Sequence, residues 1–190
     1  MTDTPKDGRA NKYPLPIRVL HWLRAVLVLG VLGCGWFMTG RPESDAYASS
    51  FLYPNHKQFG VLVWILALVH LLLRWRYRAS MPGTPAALAP WEKWLSHAMH
   101  RLIIALTLLV PLLGYSLSTS FTQSDGVPFF FVSRLPELLP KNDAAFVVFQ
   151  TLHKYSAYAL LTCIVLHIAG TLKHRFLDKA GETDVLPRML

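Results

Sequence analysis

The stretch FVVFQTLHKYSAYALLTCIVLHIAGTL, residues 146–172, is too long and too apolar to be a surface helix. It holds no acidic residue and one lysine, Lys154, and it exceeds the ~20 residues that carry a helix across a bilayer. Yet it contains two imidazoles, His153 and His167. Fourteen residues of helix separate them, which returns the second to within ~40° of the first and sets it ~21 Å further along the axis. One helix therefore presents two imidazoles on one face at two depths. An ionisable side chain is costly at membrane depth, so such positions are functional candidates.

The rest of the chain agrees with a membrane reading. Of 190 residues, 53% are apolar and only 16% charged, too few charges to wet the surface of an ordinary soluble domain. Three further apolar blocks, Val19–Phe37, Phe59–Leu73 and Leu102–Leu117, join Phe146–Leu172, and the second reaches full length if it begins near His56. The expected fold is all-α: a transmembrane four-helix bundle, one domain over residues 1–190, with spans near 17–38, 56–75, 96–118 and 146–173. Cys34 and Cys163 both fall inside spans and read as small packing residues.

Charge sets the orientation. Lys6, Arg9, Lys12 and Arg18 precede the first span, Arg74, Arg76, Arg78 and Lys93 lie between the second and third, and Lys173, Arg175, Lys179 and Arg188 follow the fourth. Basic loops stay inside, so both termini are expected to be cytoplasmic. In the other two loops Arg41, Lys57, Arg134, Lys141 and Lys154 are opposed by Glu43, Asp45, Asp125, Glu137 and Asp143. The net charge of +8 thus reflects topology and pairing with anionic lipid. No soluble basic module gathers it for nucleic acid. The segment VPFFFV, residues 127–132, is expected along the outer interface.

Haem accounts for the histidine pattern. A porphyrin standing in a helical bundle takes one axial imidazole from each of two facing helices, so two haems need two such pairs. His56 opens the second span at the outer side, level with His153. His167 needs a partner near the cytoplasmic ends, where His21 and His70 are both candidates and the spacing does not choose. Zinc cannot bridge levels ~21 Å apart with bonds of ~2 Å. Arginine pairs well with carboxylates, so Arg18, Arg24, Arg74 and Arg101 are candidates for the propionates of an inner haem. His174, two turns beyond His167, is the candidate for handling protons at a quinone, followed by His97 and His100.

The segments IRVLHWLRA (17–25), PNHKQFGVLVWILALVHLLLRWRY (54–77), WLSHAMHRLIIALTLLVPLLGYSLS (94–118) and LHKYSAYALLTCIVLHIAGTLKHRF (152–176) resemble the bacterial cytochrome b561 family of dihaem, multi-pass inner-membrane proteins. The resemblance implies two non-covalent b-type haems, with His21 and His167 ligating the iron of the inner one and His56 and His153 that of the outer one. His70 departs from the family pattern, which has arginine at that place.

The resemblance further implies a superoxide:ubiquinone oxidoreductase. Superoxide is expected to give its electron at the outer side, drawn by Lys57 and Lys154, which directly follow the outer histidines, and ubiquinone to accept it at the inner side. Bis-histidine iron has no open position, which suits passage of single electrons. The competing expectation is an electron-transfer subunit that links a periplasmic redox partner, of hydrogenase or dehydrogenase type, to the quinone pool.

Overall fold

The computed structural model describes residues 12–42, 44–130, 132–178 and 183–190. Lys6, Arg9, Glu43, Lys179 and Phe131, which entered the charge and loop readings, lie outside them.

Four long helices dominate: α1 (Leu15–Thr39), α2 (Tyr53–Arg76), α3 (Pro90–Ser120) and α4 (Asp143–Phe176). Each is long and apolar enough to cross a membrane. Each also overruns its apolar block at both ends, because only the hydrocarbon depth demands apolar residues while the backbone remains helical through the headgroups. The starts are set by local chemistry. Pro90 occupies the first turn of α3, where a missing N–H costs nothing, and Glu92 Oε2 accepts from the Ala89 N–H at 3.1 Å. Asn142 caps α4 by accepting from the Ala145 N–H at 3.0 Å. A π-helical turn, Ala48–Leu52, runs directly into α2.

Each helix packs on its neighbour in the chain, whereas among the described residues α1 and α4 make at most marginal contact. The shared core lies at mid-depth: Val28, Val63, Leu106, Val110, Leu160 and Cys163. Only 11–28% of each apolar span is buried within the chain, so most apolar side chains, Trp36 and Phe176 among them, face outward as a lipid solvent requires.

At one end the loop between α3 and α4 forms an element that the all-α reading did not include. Strands β1 (Val127–Phe129) and β2 (Val132–Leu135) make an antiparallel hairpin. Gly126 enters it with φ of 87°, a conformation that favours glycine. Phe130 turns it at φ 39° and is held by its N–H donating to Gln58 Oε1 at 3.1 Å and by its ring against Phe59. Residues 127–130 of the VPFFFV segment are thereby pinned over the start of α2. At the opposite, basic end, residues 183–190 fold back as a strap. The Tyr13 N–H donates to Arg188 O at 3.0 Å, Trp22 Nε1 to Met189 O at 2.9 Å, and Arg188 reaches Gly83 O at 2.7 Å. The segment before α1, the loop before α3 and the strap after α4 therefore share one end.

Candidate cofactor site: histidines at two levels

At the hairpin end, His56 on the first turn of α2 faces His153 on α4, with ring centres 6.1 Å apart and planes at 85°. Two imidazoles on opposite faces of one iron, each bonded at about 2 Å, place their ring centres roughly 6 Å apart. The pair thus has the spacing that one haem iron needs. Each ring is seated on a glycine of the preceding helix: a Cβ on Gly35 would stand 2.9 Å from His56 Cε1, and one on Gly114 2.9 Å from His153 Cε1. No side chain fits between ring and backbone.

The hydrogen bonds orient these rings. His153 Nδ1 lies 2.9 Å from the Val110 carbonyl. A carbonyl oxygen only accepts, so Nδ1 holds the proton and Nε2 keeps its lone pair for a metal. His56 Nδ1 is buried near the Val31 carbonyl without a well-formed hydrogen bond. Between the helices is a small apolar cavity of about 30 Å³ lined in part by Val31, Gly60, Val110 and Leu160, room for about one water and not for a macrocycle.

At the basic end the helices contribute one imidazole each: His21, His70, His100 and His167. The rings of His100 and His167 are 5.0 Å apart and edge-on at 80°, closer than two ligands across one iron. His21 is within charge-interaction range of His100 and His167. His70, only 6% exposed and with Nδ1 unpartnered, is within range of His21, Arg24 and Arg74. His100 Nδ1 donates to Ser96 O at 2.6 Å. Sequence reasoning treated His100 as a minor quinone-side candidate and did not place it beside His167.

The cationic candidates separate. Arg24 is buried and its Nε has no partner; the Nε of Arg18 is likewise buried and unpartnered. A buried guanidinium without a carboxylate is costly, and a haem propionate would supply one. Arg74 is exposed, though within range of His70 and His100, and Arg101 is exposed on α3. His174 Nδ1 bonds Asp178 Oδ2 at 2.7 Å, and Asp178 also accepts from Thr183 Oγ1 at 2.6 Å. His97 contacts Thr84 Oγ1 at 3.3 Å.

The two lysines have different surroundings. Lys57 donates to Gly126 O at 3.3 Å beneath the hairpin, amid the charges of Asp125, Arg134, Lys141 and Glu137. Lys154 is exposed on α4. Among the described residues no group of three or more His, Cys, Asp or Glu closes on a point as a lone metal ion needs. The paired imidazoles, glycine seats and unpartnered guanidinium fit haem.

Comparison with known proteins points the same way. Residues 12–190 match the family model described as prokaryotic cytochrome b561. The chain is 28% identical to cytochrome b561 homolog 2 of Escherichia coli (strain K12) over 192 residues, covering 100% of this chain and 94% of the relative. It is 26% identical to cytochrome b561 homolog 1 of the same organism over 175 residues, covering 89% and 93%.

Proposed function

The chain belongs to the prokaryotic cytochrome b561 family, membrane electron-transfer proteins that bind b-type haem, and from that premise we propose that it carries two haems in series and moves electrons from superoxide outside to ubiquinone inside. The observation that carries the proposal is the placement of imidazoles at two depths, with the His56–His153 pair at the 6.1 Å spacing of axial ligands. Haem held by paired imidazoles would supply one-electron redox chemistry there. His56 and His153 would hold the outer haem, His21 and His167 the inner one, and the basic end would face the cytoplasm of a bacterial inner membrane.

The remaining residues bind, orient and handle protons. Val110 O fixes the His153 tautomer, and Gly35 and Gly114 let the outer imidazoles lie against helix backbone. Arg24, assisted by Arg74 and Arg101, pairs with propionates at the inner level. His174, whose Nδ1–H is held by Asp178, presents Nε2 to take up a proton from the aqueous side and pass it on to the quinone. Lys154 and Lys57 supply positive charge beside the outer haem for the superoxide anion.

One observation favours a second reading. Lys57 Nζ is turned toward Gly126 O under a hairpin, which leaves protein surface rather than an open basic funnel over His56. That surface suits docking of a periplasmic redox protein by an electron-transfer subunit. Purified protein decides between them: two haems per chain, reduced by a superoxide source and reoxidised by added ubiquinone, are expected. Haems that ignore superoxide but respond to quinol would transfer the function to the docking subunit.

A further inference from the structure

The four helices form two hairpins of like design. In the first helix of each hairpin a histidine precedes a glycine by fourteen residues, His21 before Gly35 in α1 and His100 before Gly114 in α3. In the second helix of each, two histidines stand fourteen apart, His56 and His70 in α2, His153 and His167 in α4. The offsets agree: His21 to His100, Val31 to Val110 and Gly35 to Gly114 are each 79 residues, and His56 to His153 and His70 to His167 are each 97.

The structure repeats the correspondence in contacts. His56 packs on Gly35 beside Val31 O, and His153 packs on Gly114 with its Nδ1 on Val110 O. At the hairpin end each pair of helices thus offers one imidazole and one glycine seat. At the basic end the glycine is replaced by histidine, so each pair offers two imidazoles. Fourteen residues correspond to ~21 Å on every helix, which puts all four at one depth.

We infer that His70 and His100 are reserve axial ligands of the inner haem: the iron takes one imidazole from the first hairpin, His21 or His70, and one from the second, His167 or His100. This rests on the two-haem reading above. Packing alone does not account for His70. His70 is 6% exposed and its Nδ1 is buried without a partner, the same state as His56 Nδ1 at the outer level. His100 is prepared as His153 is, with Nδ1–H donated to a backbone carbonyl, Ser96 O at 2.6 Å, so that Nε2 is the free lone pair. Its ring lies edge-on to His167 at 5.0 Å, near enough for a modest helix adjustment to exchange one nitrogen for the other. The outer level has no such spare, because Gly35 and Gly114 occupy the equivalent places.

The test is haem per chain, with low-temperature electron paramagnetic resonance to identify bis-imidazole iron, in purified full-length variants. Wild type is expected to bind two haems; one haem there would overturn the two-haem reading itself and this inference with it. With two in the wild type, His21→Ala and His167→Ala should each keep two low-spin haems, the inner with shifted g values. His21→Ala/His70→Ala and His100→Ala/His167→Ala should each fall to one. The outer haem reports that the bundle has folded, and leucine replacements at the same positions preserve packing if alanine does not. Loss of the inner haem in either single variant with the outer haem retained, or its retention in either double variant, overturns the inference.

Discussion

A methyl group on Gly114 would stand 2.9 Å from Cε1 of His153 and 3.1 Å from its Nδ1. Because that same Nδ1 is tied to Val110 O on the helix that carries Gly114, the imidazole cannot retreat without breaking its hydrogen bond. Gly114→Ala is therefore expected to lower outer-haem occupancy several-fold and to shift the resonance of what remains, in a chain that still inserts. His153→Ala should bind one haem per chain; two would remove the His56–His153 pair from the proposal. At Lys57 and Lys154, charge reversal should slow reduction by superoxide more at low than at high ionic strength, since screening shortens the reach of local charge. Equal rates at both would discard the steering role. The sequence revealed which histidines share a depth. It did not reveal their glycine seats, because helices pack closely on glycine with or without a cofactor.

The helices were legible as apolar runs, and the departures concern where each run is tied down. Asn142 caps α4 through a single side-chain bond, so Asn142→Ala should cost about 1 kcal/mol, read as earlier loss of helicity on heating in detergent. The strap over the basic end was not legible, because its bonds run through backbone carbonyls of Arg188, Met189 and Gly83. Its anchor titrates. The Thr183 hydroxyl and then His174 hold the Asp178 carboxyl below the usual carboxylate range. A carboxylate with a depressed folded pKa stabilises its contacts above the unfolded value of about 3.9 and loses that contribution as pH falls through the folded one. Amide protection in residues 183–190, taken relative to the intrinsic exchange rate at each pH, should thus hold from neutral pH down to about 4 and fall only below it, and Asp178→Asn should show reduced protection at neutral pH.

Across the molecule, bilayer thickness and the positive-inside rule suffice to read four spans and one basic end from composition, since both act on averages over many residues. The histidine depths follow from helix rise alone. Azimuth between helices does not, because it depends on how side chains interdigitate at the core around Val28, Val63, Val110 and Leu160. The sequence already paired His56 with His153 by depth; only the tertiary structure gave the 6.1 Å between their rings, laid His100 beside His167, buried the Arg24 Nε without a partner and drew Lys57 beneath a hairpin. The hydrophobic pattern by itself determined that this chain crosses a membrane four times with imidazoles at two levels. Which imidazoles meet was decided by packing, because contact between helices is a property of facing surfaces that no single segment contains.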